Sequence, residues 1–256
     1  NRHVLIDECR ELFGEIYEQI PELPFCNIWT AMQLSSRLPK GALFHMGVSN
    51  TRRCWNMFQL PESVESACNV GCCGIDGCVS TLVGASLVNP DRLCYVVVGD
   101  LTFFYDLNSL GNHHIGTNLR VMLVNNGRGT EFRLGIHHCN VFGDDADKYM
   151  AAAGHFGNKS PLLVKHYAED LGFHYLSATT KEEFMTALSN FTNPQLSDHS
   201  MILEVFTDSK DESEALYLMS HIQSDAKGMV RSKLKDAVRN VAGEKGINAI
   251  KKILKK

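Results

Sequence analysis

Two polar pairs, each placed directly after an apolar run, are the residues of this chain best suited to chemistry. Gly99 and Asp100 follow one run, and Asn125 and Asn126 follow another. A carboxylate and a carboxamide offer the oxygen ligands that Mg²⁺ prefers, and Mg²⁺ typically completes its shell with phosphate and water. The pattern therefore predicts a site for a divalent cation and a diphosphate, with Asp100 and Asn126 as ligands.

Each pair taken alone also has an ordinary structural explanation. Gly-Asp after a strand is typical of a turn with a helix N-cap, and Asn-Asn-Gly is typical of a turn. Their joint occurrence at two successive strand ends favours the cofactor site. In that interpretation the backbone N–H groups of Gly99, Leu101 and Thr102 bind the same phosphates at the positive end of a helix.

The elements that position these pairs are predicted from hydrophobic patterning. Apolar runs without alternation, separated by helical segments, are typical of a parallel sheet covered on both faces, and such sheets bind ligands at the carboxyl ends of their strands. We therefore predict an α/β fold of three layers, a mostly parallel sheet with helices on both faces, plus N- and C-terminal helical extensions. Strands are predicted at 42–46, 66–70, 93–98, 119–124, 173–176 and 201–206, and helices at 1–20, 28–38, 78–88, 103–110, 162–171, 181–188, 211–222 and 228–255.

Three segments are predicted along the chain. Residues 1–24 form an N-terminal helix and linker, residues 25–210 the cofactor-binding domain, and residues 211–256 a basic helical extension. Within the domain, residues 127–160 are rich in glycine and longer than an ordinary connection, which is typical of a functional or disordered loop. His155 in this loop is a further candidate to approach a substrate.

Composition excludes several classes of protein. The hydrophobic fraction of 44% and charged fraction of 21% are those of a globular protein, and neither a membrane-spanning apolar run nor a signal peptide is present. Nine cysteines without a paired framework suit reduced thiols, so a cytoplasmic location is expected. The segment 227–256 has ten basic and two acidic residues although the net charge is -4, so the remaining body is acidic and nucleic-acid binding is not expected.

The polar pairs and their neighbours resemble the thiamine diphosphate (ThDP) enzymes. The spacing of about two dozen residues between the Gly-Asp and Asn-Asn pairs is similar to the signature of that superfamily. Three blocks, at residues 47–53 (GVSNTRR), 74–81 (GIDGCVST) and 99–108 (GDLTFFYDLN), are similar to blocks of the 2-succinyl-5-enolpyruvyl-6-hydroxy-3-cyclohexene-1-carboxylate synthases of menaquinone biosynthesis. The motif resemblance covers roughly residues 28–132 and identifies the chain with the diphosphate-binding C-terminal domain.

This resemblance implies the roles of the site residues. Asp100 and the Asn126 side chain would ligate Mg²⁺ together with the carbonyl of Arg128. Ile75 would hold the two rings of ThDP in a bent conformation and Phe132 would line the reaction pocket, so these two are the expected catalytic contacts. The other implied contacts are Cys73, Gly74, Gly99, Leu101 and Thr102 to the cofactor, and Ser49 and Arg53 to the substrate.

The resemblance also implies an activity and partners. In that family the bound cofactor decarboxylates a 2-oxo acid, 2-oxoglutarate, and the resulting enamine adds to an acceptor, isochorismate. A pyrimidine-binding ThDP domain supplies the glutamate that activates the cofactor, and we find no such segment here. We therefore expect a part of a longer protein, inactive without that domain, which would come from the same full-length chain or a partner subunit in a homodimer or homotetramer.

Two alternatives remain open. The synthases have an arginine just before the glycine-rich turn, where this chain has Val70, and losing a bidentate carboxylate partner favours a related 2-oxo acid decarboxylase or carboligase with another substrate. The other alternative is a non-catalytic ThDP-fold module that serves in an interaction.

Overall fold

A single parallel sheet forms the centre of the molecule in the computed structural model, which describes residues 2–71, 74–134, 137–150, 155, 157, 159–195 and 197–222. Six strands lie in the order β2-β1-β3-β4-β6-β5, and every pair of neighbours is parallel. The α/β prediction is confirmed. The strands are β1 (Leu43–Met46), β2 (Glu65–Cys68), β3 (Cys94–Gly99), β4 (Leu119–Asn125), β5 (His174–Ala178) and β6 (Met201–Phe206).

Helices connect the strands and cover the sheet. The helices of the described residues are α1 (Arg2–Glu18), α2 (Asn27–Leu34), α3 (Asn50–Trp55), α4 (Cys78–Val88), α5 (Asp100–Tyr105), α6 (Ala146–Tyr149), α7 (Leu163–Asp170), α8 (Lys181–Phe191) and α9 (Ser209–Ser220). Short 3-10 segments are found at Ser35–Arg37, Leu107–Gly111, Thr130–Arg133 and His138–Asp145. Among these helices, none is long and apolar enough to cross a membrane.

The central strands are apolar on both faces, and this produces three layers. Val96 and Val98 of β3 pack into one hydrophobic core together with residues of α4, α5 and α7. Val97 points to the opposite face and packs into a second core with residues of α2, α3, α8 and α9. Because successive side chains of a strand alternate between faces, a strand buried on both sides needs the continuous apolar run that the sequence shows.

Two elements near the site differ from the sequence-based prediction. The helix expected at 103–110 begins at Asp100, because Gly99 is still extended (φ -76°, ψ 165°) and helical geometry starts with the next residue. Helix α3, with its buried Cys54 and Trp55, was not predicted. Six residues are too few for a periodic pattern, and α3 is held by packing against α2 and the sheet.

The boundaries proposed for the three segments stay predictions. Helix α9 has Ala215 and Leu216 in the same core as the sheet, and Leu23 after α1 is buried there too. The basic helix expected at 228–255 lies outside the described residues.

Candidate cofactor site

A cavity with mostly apolar walls and a few polar groups lies at the carboxyl edge of the sheet, where three strands end next to one another. Its walls come from the segments that follow β1, β3 and β4, and its volume is about 130 Å³. The parallel register brings these strand ends to one edge, with Gly99 opposite Val124 and Met46 opposite Val97. The lining residues include Val48, Ser49, Asn50, Thr51, Ile75, Gly99, Asp100, Leu101, Thr102, Asn126, Arg128, Glu131 and Phe132.

Asp100 places a buried carboxylate in this cavity. The residue is 2% exposed, and its Oδ1 accepts a hydrogen bond from the Leu101 backbone N–H at 2.7 Å. Its Oδ2 has no hydrogen-bond partner among the described residues. A buried carboxylate oxygen without a partner is costly, so this atom is well suited to a cation.

His155 is the side chain nearest to the second oxygen of Asp100. Its Nε2 lies 3.0 Å from Asp100 Oδ2, but the approach lacks hydrogen-bond angles, and both atoms are buried without a described hydrogen-bond partner. The Gly157 backbone N–H donates to His155 Nδ1 at 2.9 Å, which assigns the proton of the neutral ring to Nε2. In this tautomer the Nε2–H faces Asp100 Oδ2, so a cation that binds this oxygen has to displace the imidazole.

The two asparagines at the end of β4 have different environments. Asn125 is buried, does not line the cavity, and donates from Nδ2 to Glu204 Oε1 at 2.7 Å. Asn126 lines the cavity, and its Oδ1 accepts only a long bond of 3.3 Å from the Arg128 backbone N–H among the described residues. Asn126 is therefore the asparagine with an amide oxygen available to a cation, and its role as a ligand stays a prediction.

Two further buried carboxyl groups, those of Glu204 and Glu212, lie close enough to Asp100 for its charge to add to the effect of burial in raising their pKa values. Burial raises the pKa of Glu204, although hydrogen bonds from Asn125 and Tyr175 partly oppose this effect. Burial raises the pKa of Glu212 from 4.5 to about 7, against hydrogen bonds from Thr207 Oγ1 and the Asn27 backbone N–H. Both groups resist ionisation, which limits the negative charge that accumulates around Asp100.

The residues expected to face a substrate form a network at one side of the cavity. Arg53 donates from Nη1 to Glu131 Oε2 at 2.7 Å and from Nη2 to Oε1 at 3.1 Å. Ser49 Oγ donates to Glu131 Oε2 at 2.9 Å. Ser49 holds a left-handed backbone (φ 66°), a conformation that costs a residue with a side chain about 1–3 kcal/mol and is often found at functional sites.

Nine of the predicted site residues lie in this one cavity. They are Ser49, Ile75, Gly99, Asp100, Leu101, Thr102, Asn126, Arg128 and Phe132. Arg53 reaches the cavity wall through Glu131, Gly74 is described but is not among the lining residues, and Cys73 lies outside the described residues.

Sequence reasoning missed Glu131 entirely and did not place His155 against Asp100. Neither residue belongs to a motif, and their partners are 78 and 55 positions away in the chain. The sequence offered one indication for Glu131, which is its position in the loop after β4 next to Phe132, a predicted pocket residue.

The donor set fits a hard cation with a diphosphate better than a metal held by protein alone. Among the described residues, no group of three or more His, Cys, Asp or Glu side chains could hold a metal ion. One carboxylate, one amide oxygen and a backbone carbonyl leave room in an octahedral shell for phosphate and water, which is the usual arrangement of Mg²⁺. The Oδ2 of Asp100, which accepts no hydrogen bond from the described residues, therefore fits the implied group.

Fold and cavity together define a parallel α/β domain with its ligand site at the carboxyl edge of the sheet. Comparison with known proteins adds a set of homologous relatives. The chain is 34% identical over 196 residues to the 2-succinyl-5-enolpyruvyl-6-hydroxy-3-cyclohexene-1-carboxylate synthase of Bacteroides fragilis, 34% over 200 residues to that of Phocaeicola vulgatus, and 33% over 199 residues to that of Christiangramia forsetii. Over this length the chain is homologous to these synthases, which confirms the resemblance seen in its motifs.

The match covers 77% to 78% of this chain, whereas it covers 33% to 34% of each relative. The chain therefore spans about a third of the length of the curated relatives it matches. No protein-family model matches the chain.

Proposed function

We propose that this chain is the diphosphate- and Mg²⁺-binding part of a ThDP-dependent carboligase that acts on a 2-oxo acid. The observation that supports this most strongly is the buried carboxylate of Asp100, whose Oδ2 accepts no hydrogen bond from the described residues, in one cavity with Asn126. The homology to carboxylate synthases supports the same class of enzyme. In those relatives' family the substrates are 2-oxoglutarate and isochorismate, which are the first pair to test.

The chain's own residues have distinct roles in this proposal. Asp100, Asn126 and the carbonyl of Arg128 would hold the cation, which would in turn bind the diphosphate. Ile75 and Phe132 form apolar walls that orient the reacting end of the cofactor and exclude water. When bound, ThDP supplies the electron sink that allows decarboxylation and carbon–carbon bond formation.

A second domain is part of the proposal. The cavity of about 130 Å³ is smaller than the roughly 300–1,000 Å³ usual for ligand pockets, so the part of the chain that the structure describes encloses one end of such a cofactor. We propose that a pyrimidine-binding ThDP domain, from the same full-length chain or from a partner subunit, covers the other end. Assembly as a homodimer or homotetramer would bring the two domains together.

The activity can be tested in a hybrid protein, in which this chain replaces the homologous third of the Bacteroides fragilis synthase. Carbon dioxide release from 2-oxoglutarate in the presence of isochorismate, and its loss in the Asp100→Ala variant, would support the synthase reaction. A folded hybrid that binds ThDP but releases no carbon dioxide from this pair would contradict the synthase reaction.

Such a result would favour the alternative of a related decarboxylase or carboligase with another substrate. One observation already supports that alternative, because Arg53 is neutralised by Glu131 within the site. A protein that binds no ThDP at all would instead be the non-catalytic module.

A further inference from the structure

The carboxylate of Glu131 accepts hydrogen bonds from the donor side chains at one side of the cofactor cavity. Its two carboxylate oxygens accept two hydrogen bonds from the Arg53 guanidinium and a third from Ser49. Glu131 and Ser49 both line the cavity. The arrangement is the one by which an arginine and a hydroxyl recognise the carboxylate of a ligand, except that the carboxylate here belongs to the chain itself.

The pair is partly shielded from solvent, which makes it stronger than an ordinary surface ion pair. The side chains of Arg53 and Glu131 are 33% and 22% exposed. Hydrogen bonding to Glu131 raises the pKa of Arg53. Burial would raise the pKa of Glu131, but the hydrogen bonds from Arg53 and Ser49 outweigh it and the pKa lies below its usual value, so both partners are charged at neutral pH.

A second arginine–glutamate pair in the chain shows what an ordinary pair looks like. Arg92 makes one contact of 2.9 Å to Glu65, whose side chain is 74% exposed. Neither residue lines the cofactor cavity. The bidentate geometry and the third donor thus distinguish Glu131 from a solvated partner, and an incoming carboxylate would have to break three charge-assisted bonds.

We propose that Glu131 fills the Ser49–Arg53 anion site from within, so that the substrate portion that meets this wall is uncharged. The inference rests on the proposed function and deepens it, because it names the substrate class: a 2-oxo acid or acceptor without a carboxylate at this end. Glu131 is then a specificity-determining residue. It rejects a substrate carboxylate by its own negative charge and by keeping Arg53 occupied.

Calorimetric titration of the purified chain with succinate, a small dicarboxylate probe, tests this proposal. In Glu131→Ala we expect Arg53 to be free and succinate to bind about tenfold more tightly than in the wild type, or better. Adding Arg53→Ala to that variant should remove the gain. The matched control, Glu65→Ala, frees Arg92 away from the cavity and should bind succinate no better than the wild type.

The proposal is overturned if wild-type chain binds succinate as tightly as Glu131→Ala in an Arg53-dependent way, since the site would then accept carboxylates with Glu131 in place. It is also overturned if no Glu131 variant gains binding. Circular dichroism checks folding, and Glu131→Gln, which keeps the side-chain volume and removes the charge, gives a second measurement with a smaller expected gain. The gain in succinate affinity requires only Arg53. The experiment therefore does not depend on whether the chain binds ThDP.

Discussion

Three acidic side chains are buried near the strand ends that form the site, and only one of them could be predicted from the sequence. Asp100 was predicted because a strand and a motif surround it. Glu204 and Glu212 are equally buried, but the residues next to them in the sequence do not indicate which groups donate hydrogen bonds to them. Glu131 was missed for the same reason, since its role depends on an arginine 78 positions away.

Glu212 should make stability depend on pH. Its folded-state pKa of about 7 lies above its ordinary value of 4.5, so folding favours the protonated carboxyl. The stability that this group contributes is fully present below pH 4.5 and is lost as pH rises to 7, after which it stays constant. We therefore expect Glu212→Gln to be more stable than the wild type at pH 8, by on the order of 2 kcal/mol, and nearly equal to it at pH 4.5.

Urea unfolding of both proteins at the two pH values measures this difference. Glu214, an exposed residue of the same helix, provides the control, and Glu214→Gln should follow the wild type at both pH values. An equal effect of Glu212→Gln at both pH values would show that burial of the charge is not the cause.

At the scale of the element, patterning predicted every strand of the sheet to within a few residues, and helix α4 at its observed bounds. The central strands β3, β4 and β6 and helix α4 have mostly apolar runs, and tertiary packing buries most of their residues. Helix α3 was missed because it is short and its residues are held by neighbours. The start of α5 was misplaced because the backbone of Asp100, the key residue of the site, already belongs to the helix.

Helix α4 should depend on a cap supplied by another element. Its N-cap residue is Gly77, which has no capping side chain, and the Asp106 carboxylate accepts a hydrogen bond from the Ser80 backbone N–H at 2.6 Å. Asp106→Ala removes the hydrogen-bond acceptor and the favourable charge at the helix start, so it should lower the free energy of unfolding by about 1–2 kcal/mol. Asp106→Asn keeps an acceptor oxygen, so its loss should be about half as large.

The free energy of unfolding in urea measures both variants. Equal losses for Asp106→Ala and Asp106→Asn would mean that the charge alone matters, and no loss in either would contradict the cap.

At the scale of the whole molecule, the sheet joins two hydrophobic cores that lie on its opposite faces. Ile202 and Leu203 are neighbours in β6 and are fully buried, yet they point into different cores. Both tryptophans, Trp29 and Trp55, belong to the core that contains Leu203. Their fluorescence therefore reports on one face only.

We expect the two faces to unfold as one cooperative unit. Ile202→Ala and Leu203→Ala should each lower the free energy of unfolding by about 2–4 kcal/mol, the usual effect of truncating a buried side chain. Tryptophan fluorescence and far-ultraviolet circular dichroism should shift together in both variants. A change in Ile202→Ala that moved the circular dichroism transition but not the fluorescence would contradict a single unit.

We propose that the carboxyl edge of the sheet binds ThDP through Mg²⁺ held by Asp100 and Asn126. Titration calorimetry of the chain with ThDP, with and without Mg²⁺, tests it most directly, using Asp100→Ala and, as a control, Asp91→Ala at an exposed position before β3. We predict binding only with Mg²⁺, weakened about tenfold or more by Asp100→Ala and unchanged by Asp91→Ala. Binding that needs no Mg²⁺, or that survives Asp100→Ala undiminished, would contradict the claim.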